Sequence, residues 1–181
     1  EMGTNSTYFF EPKNKSASIN PITPAENRDV LNKVFADQFA ADLDQIGSFY
    51  FTDEVYDSTY PGYGSTYMDL HGALALLFEQ ASSRGHLQET PTGELSFAFT
   101  IRNQFTAALS TLEAANDMRK EILQYQHDFF KNARNEASKE GSKAIVFGDE
   151  KDAAKSYHLA EVLKRHQVKK CVAKRDKNIS E

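Results

Sequence analysis

The chain has 181 residues, 40% of them hydrophobic, and a formal net charge of −5. The acidic balance argues against a general nucleic-acid binder, and no apolar run approaches the roughly 20 residues that a membrane span needs. Its 13 Phe and 8 Tyr suffice for a core, which excludes wholesale disorder, and a single cysteine, Cys171, excludes an internal disulfide framework or a cysteine-based zinc cage.

The opening Glu1-Met2-Gly3-Thr4-Asn5-Ser6-Thr7 has neither the basic nor the apolar region of a signal peptide. The chain starts on Glu1 and stops at Glu181, just after what reads as the opening of a βαβ unit. Both ends are expected to be cuts through a longer polypeptide. A short strand is expected near residues 7–10, then a loop closed by Asn20-Pro21. Thr23-Pro24-Ala25-Glu26 is a helix start: Thr23 can cap, Pro24 suits the first helical position and Glu26 completes a capping box. Leu31, Phe35, Phe39 and Leu43 repeat at i+4, with Val30, Val34 and Ile46 beside them, giving one apolar stripe on a helix that ends at Gly47.

Residues 48–55, with Phe49-Tyr50-Phe51, predict a short strand, and 57–67 a loop rich in Tyr, Gly, Ser and Thr. Gly72-Ala73-Leu74-Ala75-Leu76-Leu77-Phe78-Glu79 is a continuous apolar run that stops at a carboxylate. Such a run suits a strand buried on both faces, although Leu and Ala would suit a helix equally well. Residues 81–93 read as a loop. A long helix follows over about 97–139, with Ile101, Phe105, Ala108, Leu112, Ala115, Ile122, Tyr125 and Phe129 at 3–4 spacing. At 1.5 Å per residue it would reach roughly 60 Å, so it is expected to kink, break or bridge two domains. Residues 143–149 have a buried-strand pattern, 152–166 a helical one with Leu159, Val162 and Leu163 as its apolar face, and 168–172 the next strand. A domain boundary is therefore expected between 142 and 143.

Glu79 is the foremost site candidate. A carboxylate at the end of a buried strand is costly to desolvate unless it is used or paired. It is either a general base, tuned by burial or matched to a metal-bound water, or the partner of Arg84 or another cation. Tyr60, Tyr63 and Tyr67 can offer phenol donors to a substrate, or can pack down on a surface loop. Two His-x-x-Glu strings, His86 to Glu89 and His158 to Glu161, contain zinc-ligand types, but no motif supplies a third ligand. A solvated helix face is the expected state of His158 and Glu161. Asp149-Glu150-Lys151-Asp152 reads as a helix N-terminal charge cluster. Phosphate-binding glycine loops and nucleophile elbows are not found.

The segment Leu76-Leu77-Phe78-Glu79-Gln80-Ala81-Ser82-Ser83-Arg84-Gly85 resembles the C-terminal part of zinc carboxypeptidases of the carboxypeptidase A-like peptidase family. In that family a buried strand ends on the catalytic glutamate, and a substrate-binding tyrosine lies some twenty residues earlier, before a Gly-Ser; here Tyr60 and Tyr63 precede Gly64-Ser65. The opening Glu1-Met2-Gly3-Thr4-Asn5-Ser6-Thr7-Tyr8-Phe9-Phe10 is similar to the stretch directly after the family's third zinc ligand. Residues from Lys143 onward resemble the first strand and helix of a glutamine-amidotransferase-like domain that follows the peptidase in large bacterial members.

The resemblance implies an α/β chain. An incomplete mixed-sheet carboxypeptidase-like domain at 1–142 would end in the long helix, and the truncated start of a second, βαβ domain would follow at 143–181. It implies Glu79 as catalytic residue, Tyr60 or Tyr63 as substrate-binding residues, and zinc in the complete enzyme, with no metal held by this segment because the zinc ligands lie upstream. The implied partners are a peptide substrate and the missing N-terminal half of the same polypeptide, with no nucleic acid and no membrane. The implied compartment is secreted or periplasmic. The segment alone is expected to be inactive, and poorly soluble or partly unfolded, since faces covered by the missing half would be bare. Two other functions stay open: a non-catalytic module binding peptides or cell-wall fragments, and a new metal site built on His86 and Glu89.

Overall fold

The structure, a computed structural model, describes residues 8–10, 20–52, 59–90, 93–142 and 144–169. Helix and sheet are mixed. The chain divides into two compact units, Glu1–Glu136 and Ala137–Glu181.

The first unit is organised by α1 (Asn32–Gln45) and α3 (Phe97–Asp117). Leu31, Phe35, Phe39 and Leu43 are all buried, as their i+4 spacing predicts. Val30 and Val34 instead face solvent, because each lies about 100° around the helix from the stripe. A π-helical turn, Asn27–Leu31, leads directly into α1. Against the large side chains of α1 stands a face of α3 made of small ones, Ala107, Ser110 and Ala114. Phe78 closes this core, its ring edge-on to Phe39 with centroids 5.0 Å apart. Burying one such aromatic or aliphatic side chain contributes about 1.5–3 kcal/mol. The Ser110 hydroxyl donates to Asp42 at 2.5 Å, so the same helix pair is joined by polar as well as apolar contact.

The 3–4-spaced apolar series of the long helix does not lie wholly inside. Phe105 and Leu112 are 64% and 67% exposed and Ile101 is exposed beside them, whereas Ala115 and Ile122 pack on the core and Tyr125 is buried. The bulk on α1 leaves room only for Ala and Ser opposite, so α3 turns its small residues inward and its large ones out. The long helix also breaks, as its length suggests. Met118 leaves helical geometry (φ −91°, ψ 13°) before α4 (Arg119–Lys139) begins. The poor helix formers Asn116 and Asp117 directly precede the break.

The sheet is small: β1 (Tyr8–Phe10) lies between β2 (Tyr50–Thr52), to which it is parallel, and β3 (Phe78–Gln80), to which it is antiparallel. Residues 73–77, expected to belong to a buried strand, have no ladder. Of these, Leu74 and Leu76 pack on the core and Leu77 faces outward, the alternation of a strand without its ladder. Their start is fixed by Gly72, at φ +72°, where an added Cβ would stand 3.0 Å from the Phe129 ring. Two elements appear where loops are expected: α2 (Gly64–Asp69), and a hairpin of β4 (Leu87–Thr90) and β5 (Gly93–Ser96), with Thr90 opposite Gly93.

In the second unit α5 (Ala153–Arg165) follows the expected helix closely. Asp152 caps it, accepting from the Lys155 N–H at 3.0 Å. Asp149 accepts from the backbone N–H groups of Lys151 and Asp152 and from the Lys155 ammonium at 3.1 Å. Those bonds hold its carboxyl below the usual carboxylate range, the Lys151 N–H most of all. The strand expected at 143–149 is not formed over 144–149: Ile145 and Val146 are 90% and 87% exposed. Leu159 and Val162 of α5 are exposed as well. A βαβ unit buries both elements only against a sheet, and no strand occurs among the described residues of this unit. The further strand expected at 168–172 lies mostly outside the described residues. Among the described residues no helix is long and apolar enough to cross a membrane.

Phe39→Ala is expected to cost about 3–5 kcal/mol, seen as a lower denaturant midpoint with unchanged slope. Gly72→Ala is expected to cost at least about 1 kcal/mol, because the left-handed backbone and the Phe129 ring both oppose a Cβ. An unaltered midpoint in either variant would contradict this packing.

Candidate functional site

Glu79 occupies the middle of β3, not the end of a long strand as the apolar run suggests, and its Cα partner is Phe9 of β1. Side chains alternate along a strand. Phe78 packs on Phe39, and the Gln80 side chain accepts from the Asn103 amide at 2.8 Å, so both point toward α1 and α3. Glu79 therefore projects from the opposite face, where it is partly buried.

Directly after Glu79 the chain forms one wall of an open groove of about 560 Å³. Gln80, Ala81, Ser82 and Ser83 face Phe97, Ile101 and Phe105 of α3 across it. The wall is pinned by two side-chain bridges. Asn103 donates to both Gln80 and Ser48 at 2.8 Å, and the Ser83 and Thr100 hydroxyls meet at 3.0 Å. Thr100 and Gln104 also line the α3 side, so the groove mixes apolar rings with hydroxyl and amide groups.

Tyr60 and Tyr63 come together in a tight turn before α2. The Tyr63 N–H donates to the Tyr60 carbonyl, and the rings stand edge-on at 5.3 Å. Both rings are exposed. Gly62 makes this possible, since any Cβ there would overlap the Tyr60 ring. The turn continues into α2, whose inward residues, Thr66 and Asp69, are fully buried.

Neither His-x-x-Glu string forms a metal centre geometry. His86 sits at φ +73° in the turn before β4, edge-on to Phe97, while Glu89 lies along the strand opposite Glu94. His158 is exposed on α5, and Glu161 pairs with Lys164 at 3.8 Å. Among the described residues no group of three or more His, Cys, Asp or Glu is placed to hold a metal.

A buried polar node lies behind the tyrosine turn, and sequence reasoning misses it. The Asn27 amide donates to Asp69 at 3.4 Å and to the Ala73 carbonyl at 3.0 Å, and the Asn32 amide donates to the Asn27 oxygen at 3.2 Å. The Ala75 N–H also donates to Asp69, at 3.3 Å. Asp69 is 1% exposed. Tyr125 of α4 completes the node: burial raises its hydroxyl above the ordinary tyrosine range, the neighbouring Asn27 amide opposes this, and Asp69 and Glu26 add to it. The available signal was a pair of asparagines five residues apart beside an apolar stripe, the spacing at which a π turn stacks side chains.

No protein-family model, curated protein sequence or solved structure matches the chain.

Two outcomes follow. Gly62→Ala is expected to part the Tyr60 and Tyr63 rings, changing their NMR ring shifts and the near-UV dichroism while stability moves by no more than about 0.5 kcal/mol. Tyr125 holds its proton more tightly in the folded chain than in the unfolded one. Its contribution to stability is therefore complete below about pH 10 and declines as pH rises above that value. Denaturant midpoints measured on either side of pH 10 should show this decline, and Tyr125→Phe should reduce its slope.

Proposed function

We propose that this chain is the C-terminal part of a zinc metallocarboxypeptidase-like catalytic domain, with Glu79 as the general base. One observation carries the proposal. The first described strand pairs with the strand of Glu79, Phe9 opposite Glu79. A zinc-ligand segment arriving from upstream of Glu1 would therefore enter on the side of the molecule that holds this carboxylate. The alternation of β3 supports the same reading, since it turns Glu79 away from the helical core.

The exposed stripe of α3 agrees with the proposal as well. Phe97, Ile101, Phe105, Leu109 and Leu112 form a continuous apolar face, and faces of that extent mark contact sites. In this reading the missing N-terminal half of the polypeptide covers it. The zinc would be held by upstream residues, not by this chain. It would supply an activated water and polarise the scissile carbonyl of a peptide. Glu79 would take the proton of that water and pass it to the leaving amine. Tyr60 or Tyr63, exposed on its turn, would hydrogen-bond the substrate. The segment alone would be inactive. A secreted or periplasmic setting would accompany this function. Residues 143–181 would open a second, amidotransferase-like domain.

The open groove beside β3 favours a second reading, a non-catalytic module that binds peptides or cell-wall fragments. One experiment separates the two. In a polypeptide extended upstream to include the zinc ligands, Glu79→Gln is expected to lower peptide turnover by roughly 10²–10⁴-fold with zinc content unchanged. Turnover unaffected by the substitution would remove Glu79 from the mechanism. Peptide binding without turnover in the unaltered polypeptide would favour the module.

A further inference from the structure

Helix α3 carries large side chains on its outer face. Phe97, Ile101, Phe105, Leu109 and Leu112 are all exposed and follow one another at i+4 or i+3, so they share one face over about 22 Å. The two edges of this stripe differ. Arg102 and Glu113, both exposed, are eleven residues apart and so lie within about 20° of each other around the axis, on one edge. Gln104 and Thr111 lie on the other edge, which carries no charge. Arg102 sits over the Phe99 ring at 4.8 Å, and Glu113 accepts from the Gln38 amide at 3.4 Å. A guanidinium can stay stacked on a ring while its N–H groups pair with a carboxylate.

We propose that two copies of this chain associate through α3, antiparallel and related by a two-fold axis level with Ala107. With that axis Phe105 of each copy meets Leu109 of the other, Ile101 meets Leu112, and Arg102 meets Glu113. Charge selects a second copy as the occupant. In an antiparallel two-fold pair each edge of the helix meets the same edge of its counterpart, so that edge must complement itself. Arg102 and Glu113 satisfy this, being opposite in sign and nearly equidistant from the axis. A parallel pair would set the charged edge against the uncharged one. Area agrees with the choice. Two such stripes laid together would cover on the order of 1,000 Å², the lower bound for a specific interface. The inference does not rest on the peptidase reading, in which upstream residues would compete for the same face.

The test is sedimentation equilibrium of the 181-residue chain and its variants, with far-UV circular dichroism to verify folding. We expect a dimer of twice 20.4 kDa, with a dissociation constant on the order of 1–100 μM. Phe105→Asp is expected to leave a folded monomer. Arg102→Glu and Glu113→Arg each place like charges at both ends of the interface, and each should raise the dissociation constant about 10- to 100-fold. Mixing the two single variants restores opposite charges at both ends. The mixture should therefore associate within about threefold of the unaltered chain. An unaltered chain that stays monomeric at about 100-fold the expected constant would overturn the inference. So would a dimer that Phe105→Asp leaves intact, or single variants whose mixture does not recover. A monomer that Phe105→Asp destabilises would show the stripe covered by another segment of the same chain, and would equally sink the proposal.

Discussion

Everything in the first unit depends on the way α1 and α3 divide bulk between them. Phe35, Phe39 and Leu43 fill the space, and Ala107, Ser110 and Ala114 yield it. Close packing rewards such pairing of large with small, because interiors tolerate neither voids nor overlap. Once the pair is set, Phe78 has a defined seat against Phe39, and Gln80 a defined partner in Asn103. These two anchors fix both ends of a three-residue strand. The residue between them, Glu79, is left no choice but the other face. The direction of the candidate carboxylate thus follows from helix packing.

The same division explains which parts of the fold were legible in the sequence. Helix α1 was legible because its large residues and its buried residues coincide, so hydrophobic period and packing point the same way. Helix α3 misled because its largest residues are not its buried ones. Spacing finds the apolar stripe of Ile101, Phe105 and Leu112 but cannot say which stripe a neighbour with phenylalanines will accept. The 72–79 run misled for a related reason. Hydrophobicity marks a segment as buried, but a strand also needs a partner, and β1 reaches only Phe78 and Glu79 of it. Residues 144–149 show the limiting case, a strand-like composition with no ladder among the described residues.

The candidate site was partly legible. Glu79 stood out as a charge closing an apolar run, and the tyrosines stood out in a glycine-rich loop that folds into a tight turn around Gly62. The node of Asn27, Asn32, Asp69 and Tyr125 did not stand out, because amides and carboxylates are ordinarily assigned to the surface. Their burial is affordable only where hydrogen bonds are shared among several elements, and a linear pattern does not reveal long-range partners such as Asn27 with Asp69.

The π turn at Asn27–Leu31 has an evolutionary side. Such a turn holds one residue more than the α-helical ladder needs, and shedding that residue would leave a more regular helix. Everything before the deletion would then swing by about 100° around the axis. Asn27 would leave the interior, and Asp69 would lose the Asn27 side-chain amide as a donor. The extra residue is therefore a gauge of selection: lineages that keep the inward asparagine should also keep the helix one residue too long, and those that trim it should have traded Asp69 for something uncharged.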